Sequence, residues 1–159
     1  MKQFRVLIID DSLTIRAILE HIVGSDPECE VVGLASSIES AREVMANARP
    51  NVITLDLGLP GMDGMAFLDE LKEATKHAPI IVISASTRDK SGTSREALAR
   101  GAVACFDKAS VVTDARRLIS LLKRAALRPE RKQVRVRRND GAPKPLAGAV
   151  NEPELGLVA

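Results

Sequence analysis

"ITLDLGLPGMDG", residues 53–64, decides how the rest of the chain is read. With Val52 before it, the stretch opens as a short apolar run and stops on an acid, Asp56. It then breaks into a turn punctuated by Gly58, Pro60, Gly61 and Gly64. A continuous run of this kind, without alternation, suits a parallel strand covered on both faces, and the Gly/Pro cluster marks its end. Four similar runs, at 4–9, 30–35, 80–83 and 103–106, are also rich in Val and Ile. Between the five lie segments of helical period at 13–23, 38–47, 65–74, 93–100 and 114–126. In the last of these, Leu118, Leu121, Leu122 and Ala125 share one face, opposite Arg116, Arg117 and Lys123. Repeated β–α units with right-handed crossovers predict a doubly wound α/β fold, a (βα)5 parallel sheet of five strands.

Composition bounds the rest. The 159 residues suffice for one domain and an appendage. Apolar residues make up 45% but aromatics only 2%, so the core is expected to be aliphatic. Cys29 and Cys105 show neither metal-ligand spacing nor a disulfide framework, which suits a reducing cytoplasm. The apolar run at the start is too short, and too soon ended by acids, for a signal peptide or a membrane span. Charge is uneven: residues 1–127 hold 16 basic and 17 acidic residues, the remainder 7 and 4. Within 128–138 six residues are basic and one acidic, which points to an anionic partner for the tail and not for the body. We therefore divide the chain into a domain at 1–127, an Arg-rich ligand-binding segment at 128–141 and an end at 142–159 that is expected to be disordered.

In a doubly wound sheet, ligands bind at the carboxyl ends of the strands near the switch in strand order. Those ends carry Asp10, Asp11 and Ser12 after the first strand, Asp56 after the third, Ser84 at the fourth and Lys108 at the fifth. Three carboxylates converging on one edge repel each other, and burying them unpaired costs several kcal/mol. A hard divalent cation such as Mg²⁺ resolves the conflict, and an added hydroxyl and ammonium suit a phosphoryl group. Taken alone, Asp10, Asp11 and Ser12 read equally well as a helix cap; the four strand ends taken together do not.

The motifs "IIDDS", "ITLDLGLPGMDG", "VISAS" and "ACFDK" resemble the receiver domain of bacterial response regulators, the CheY-like fold. That resemblance implies Asp56 as phosphoacceptor for the phosphohistidine of a kinase. It implies Asp10, Asp11 and Asp56, with the backbone carbonyl of Gly58, as holders of Mg²⁺. Ser84 would hydrogen-bond the phosphoryl oxygens and Lys108 would neutralise them. From Ser84 to Lys108 the wording is most similar to the receiver of the chemotaxis methylesterase. Too few residues follow 127 to build that enzyme's catalytic domain. The phosphoryl chemistry would be on the chain itself, so the chain is not expected to be an enzyme. Two positions depart from the family pattern. Ala109 stands where receivers usually have Pro, and Cys105 where they usually have an aromatic switch.

The tail sequence "RKQVRVRRNDG", residues 131–141, alternates in part like a strand, with Val134 and Val136 on one face. A solvated basic end is one reading. Nucleic-acid binding is another, though a short run without aromatics argues against it. The third is a guanine nucleotide: Arg forks onto guanine O6 and N7 or onto phosphate, and an acid accepts from the other guanine edge. Arg137, Arg138, Asn139 and Asp140 make an R-x-x-D, and Arg131 to Arg135 an R-x-x-x-R. These spacings resemble cyclic di-GMP signatures, and a receiver so extended resembles the Cle family of CheY-like cyclic di-GMP effectors. The resemblance implies cyclic di-GMP as ligand, the flagellar motor switch protein as target, and action in the cytoplasm or at the flagellar pole.

Overall fold

The computed structural model describes residues 3–61, 63–75, 78–85 and 90–128. The Arg-rich segment beyond Arg128, the end at 142–159, the Val134/Val136 alternation and the Arg131–Asp140 site all lie outside the described residues. Five strands alternate with five helices: β1 Phe4–Ile9, α1 Leu13–Gly24, β2 Cys29–Ala35, α2 Ile38–Ala48, β3 Val52–Leu55, α3 Gly64–Thr75, β4 Ile80–Ser84, α4 Lys90–Ala99, β5 Ala104–Asp107 and α5 Ala115–Ala126. A short 3₁₀ turn, Lys108–Ser110, follows β5. All four strand pairings are parallel, and the spatial order is β2-β1-β3-β4-β5. The order reverses between β1 and β3, so their carboxyl ends flank the crevice where such sheets bind ligands.

The expected strands and helices are all present, with ends moved by a few residues. β5 sits one residue later than the apolar pattern places it, and Ser84 is the last residue of β4. The largest shift is at α4, which begins at Lys90 and not at residue 93. Its opening Lys-Ser-Gly-Thr has poor helix propensity and little apolar period, so the pattern emerges only later in the helix.

Each face of the sheet has its own aliphatic layer. Leu7, Ile9, Ile53, Leu55 and Val82 meet Phe67, Leu68 and Leu71 of α3, Ala41 of α2 and Ala97 of α4. On the other face Val6, Ile8, Val52, Ile81 and Ile83 meet Leu19 and Val23 of α1 and Leu118 and Leu122 of α5. Consecutive residues of the central strands fall in different layers, which is why their hydrophobicity is nearly continuous, interrupted by Arg5 in β1 and Thr54 in β3. In β2 the pairing skips from Val31 to Gly33 opposite Val6 and Leu7, leaving Val32 as a bulge.

The helix ends are closed by identifiable groups. Ser12 caps α1 by accepting from the Ile15 N–H, and Ser37 and Ser40 form a reciprocal cap on α2. Helix α2 ends on Arg49 in the left-handed region, φ 46°, and the Arg5 guanidinium donates to the carbonyls of Ala48 at 2.6 Å and Arg49 at 3.3 Å. A cation thus satisfies carbonyls that the helix leaves free. After α4, Gly101 takes φ 104°, and the N–H groups of Gly101 and Ala102 return to the carbonyls of Leu98 and Ala97.

Candidate functional site

The site is built from three strand ends. Asp10 leaves β1 with its N–H on the Ala35 carbonyl at 3.0 Å, which holds it at the sheet edge. Its Oδ1 accepts from the Ser12 N–H at 2.8 Å, and its carbonyl accepts from Arg16 Nη1 at 2.7 Å. Asp56 leaves β3 with its N–H on the Ile9 carbonyl at 2.9 Å, so the two acids are tied to adjoining ends of paired strands. Asp56 Oδ1 accepts from the Gly58 N–H at 2.9 Å. A Cβ at Gly58 would stand 3.4 Å from that oxygen and fill the space beside the carboxylate.

Lys108, the first residue past β5, closes the cluster. Its Nζ donates to Asp56 Oδ2 at 3.0 Å and lies 2.9 Å from Asp10 Oδ2. The second contact is an ion pair without hydrogen-bond geometry, and Asp10 Oδ2 is buried without a hydrogen bond. Asp10 and Asp56 are 1% and 5% exposed. Burial pushes the Asp10 carboxyl above its ordinary value, and the neighbouring Asp56 adds to the rise against the pull of Lys108 and the Ser12 N–H. For Lys108, burial pulls downward but the Asp10 and Asp56 carboxylates outweigh it, and the ammonium ends above its ordinary value. At neutral pH the cation is therefore held between the two acids.

Asp11 is exposed, and among the described residues its carboxylate has no hydrogen-bond partner. Oxygens of Asp10, Asp11 and Asp56 nevertheless lie within 4.8 Å of one another. This donor set fits Mg²⁺: all hard oxygens, one of them buried and without a hydrogen bond, and one on the exposed side chain of Asp11. Ser12 caps α1 while Asp10 and Asp11 point their chemistry elsewhere, so the cap and the acidic cluster share one loop. Ser84 ends β4 in register with Asp107 of β5, on the same sheet edge as Lys108. The structure thus gathers Asp10, Asp11, Asp56 and Lys108 into direct proximity and puts Ser84 on their edge.

Both departures from the family pattern have a local consequence. Cys105 is half-buried on the α4 side, its thiol 3.7 Å from the Ser94 carbonyl, and burial holds the thiol above its ordinary value. The neighbouring aromatic, Phe106, faces the opposite layer and carries the Arg117 guanidinium 5.7 Å above its ring. Phe106 is therefore a core residue, not a substitute for the missing aromatic. Ala109 donates its N–H to Asp107 Oδ1 at 3.1 Å, a bond that a proline at this position could not make.

Two contributors escaped the sequence reading. Arg16 left a faint signal, a cation near the start of a helix where the dipole disfavours one. Gly64 left none, because its role is contact with a backbone: a Cβ there would overlap the Leu57 carbonyl oxygen and come within 2.6 Å of the Leu57 Cα.

The response regulator receiver domain family matches residues 6–123, and the chain belongs to that family. Among curated relatives, a protein-glutamate methylesterase/protein-glutamine glutaminase of Cereibacter sphaeroides is 45% identical over 107 residues, covering 67% of this chain and 29% of the relative. One from Vibrio vulnificus is 40% identical over 114 residues, covering 72% of this chain and 33% of the relative. The chain thus spans about a third or less of the length of the curated relatives it matches. Among solved structures, the response regulator domain of Thermotoga maritima CheB aligns with a TM-score of 0.71 at 30% identity, over 79% of this chain and 98% of that one. The receiver domain of NtrX from Brucella abortus aligns at 0.67 and 29%, over 76% and 97%. The sheet order and the five helices agree with the CheY-like fold.

Proposed function

We propose that this chain is a phosphoacceptor receiver, with Asp56 taking a phosphoryl group from the phosphohistidine of a histidine kinase. The observation that carries this reading is the Lys108 ammonium held between Asp56 and Asp10 at the meeting of three strand ends. An Asp56 carboxylate oxygen attacks phosphorus. The P–N bond breaks, its electron pair returns to the imidazole nitrogen, and an acyl phosphate forms on Asp56. Lys108 stays beside the charge that has moved from the donor, and Ser84 donates its hydroxyl to a phosphoryl oxygen. Bound Mg²⁺, held by Asp10, Asp11, Asp56 and the Gly58 carbonyl, would neutralise phosphoryl charge. The chemistry is stoichiometric and on the chain itself, so this reading is of a signalling protein and not an enzyme. The test is labelling by a phosphorylated histidine kinase in Mg²⁺. Wild type is expected to take up label and Asp56→Asn to lose it; equal labelling of both would place the phosphoryl group elsewhere.

A second reading rests on the Arg-rich sequence after α5. There, Arg131, Arg135, Arg137, Arg138, Asn139 and Asp140 bind cyclic di-GMP, with Arg on guanine edges and phosphates and Asp140 on a guanine edge. The chain would then act in the cytoplasm or at the flagellar pole as an effector on the motor switch protein. Among the described residues no helix is long and apolar enough to cross a membrane. Calorimetric titration of cyclic di-GMP into the full chain and into one ending at Leu127 tests it. Heat from the full chain alone supports the tail as ligand site, and silence from both removes it.

A further inference from the structure

Asp11 is the least supported member of the acidic cluster. Its carboxylate is exposed, among the described residues it has no hydrogen bond, and it stands close to two other acids. Repulsion and hydration both favour its swinging outward. Its approach to Asp10 and Asp56 is therefore set by the backbone that carries it.

That backbone is pinned at several points. The Asp10 N–H is fixed to the Ala35 carbonyl at 3.0 Å, and Asp10 Oδ1 takes the Ser12 N–H at 2.8 Å. Ser12 is tied into α1 through its side chain, 3.3 Å from the Ile15 N–H, and through its carbonyl, 2.9 Å from the Arg16 N–H. The remaining freedom is rotation of the peptide between Asp10 and Asp11. Arg16 Nη1 donates to the carbonyl of that peptide at 2.7 Å, a short charge-assisted bond from a half-buried side chain. A peptide unit is rigid and planar, so holding its oxygen also fixes the N–H and Cα of the next residue. The direction of the Asp11 Cα–Cβ bond follows.

We infer that Arg16 is a positioning residue for the divalent cation: by clamping the Asp10 carbonyl it aims Asp11 at the cluster. This rests on the reading of Asp10, Asp11 and Asp56 as a Mg²⁺ site. The guanidinium holds the ligand loop from behind and is not itself a ligand. Its bond is to a backbone carbonyl and not to a carboxylate, so the carboxylate oxygens stay available to a metal. A lysine keeps the charge and one donor but lacks the planar fork.

The experiment is titration of Mg²⁺ alone into the full chain, read by calorimetry, for wild type, Arg16→Ala and Arg16→Lys, with thermal melts in EDTA as the folding control. Groups that orient metal ligands typically contribute about ten- to a hundredfold in affinity. Arg16→Ala is expected to bind Mg²⁺ about tenfold more weakly, and Arg16→Lys to recover most of that loss. With acetyl phosphate as donor, the Mg²⁺ concentration for half-maximal phosphorylation rises in Arg16→Ala while the rate at saturating Mg²⁺ stays near that of wild type. A change in general stability would not produce that split. Wild-type affinity retained in Arg16→Ala would overturn the inference and leave the metal site standing. No Mg²⁺ binding by wild type would remove the metal site and the inference together.

Discussion

Asp10 is a buried acid held between a second acid and a lysine. It is buried, close to Asp56, and its carboxyl lies above its ordinary value because burial outweighs Lys108 and the Ser12 N–H. A carboxyl whose folded value exceeds its unfolded one binds more protons when folded. Its charge therefore costs stability above that folded value, and the cost falls away as pH drops through it. Asn keeps an oxygen for the Ser12 N–H and cannot ionise. Lys108 keeps Asp56 as its partner, so Asp10→Asn is expected to melt at a higher temperature than wild type at neutral pH without metal. The gap should close on acidification, and the variant should lose Mg²⁺ binding. Melts followed by circular dichroism across pH, with and without Mg²⁺, check all three; a lower midpoint at neutral pH would mean that the Lys108 ion pair dominates.

Among the elements, the contact between α3 and the loop after β3 matters most to the site. Gly64 is the first residue of α3 and lies directly against the Leu57 backbone. Leu57 separates Asp56 from Gly58, so the helix start presses on the segment that shapes the acidic pocket. Gly64→Ala introduces a methyl group that no side-chain rotation can accommodate, and either the helix or the loop must move. The expected cost is about 2 kcal/mol in urea unfolding, with weaker Mg²⁺ binding alongside. Unchanged stability and unchanged metal affinity would show that the loop yields freely. Elsewhere, Arg42 forks onto Glu70 at 2.7 and 2.8 Å between α2 and α3, an exposed link that contributes little, and a half-buried Lys123 joins Asp26 and Glu28. Burial of the two aliphatic layers is the larger contribution.

For the whole molecule, the acidic edge links folding to ligand binding. Three carboxylates within 4.8 Å exist as a set only in the folded chain, so a cation that binds them stabilises the fold by mass action. At ten times its dissociation constant Mg²⁺ is expected to add about 1.4 kcal/mol to the free energy of unfolding, and equimolar EDTA to remove it. Differential scanning calorimetry over a Mg²⁺ series measures this directly. A midpoint independent of Mg²⁺ would contradict the metal reading at this scale, whatever single variants show.

Alternation of Val/Ile runs with helical period was enough to specify the five β–α units, because parallel strands covered on both faces leave nearly continuous apolar runs. Acids, a hydroxyl and a lysine at the ends of those runs were likewise legible, since β1 and β3 end where the sequence turns from apolar to Asp. The start of α4 was not legible, because Ser91 and Gly92 after Lys90 have neither apolar period nor helix propensity. Nor were the roles of Arg16 and Gly64. Residue types and their spacing along the chain determine which groups reach the sheet edge. Which carboxylate Lys108 bonds, which carbonyl Arg16 clamps and which backbone Gly64 must clear are contacts between segments far apart or turned by a helix. Only the packed sheet and helices decide those distances.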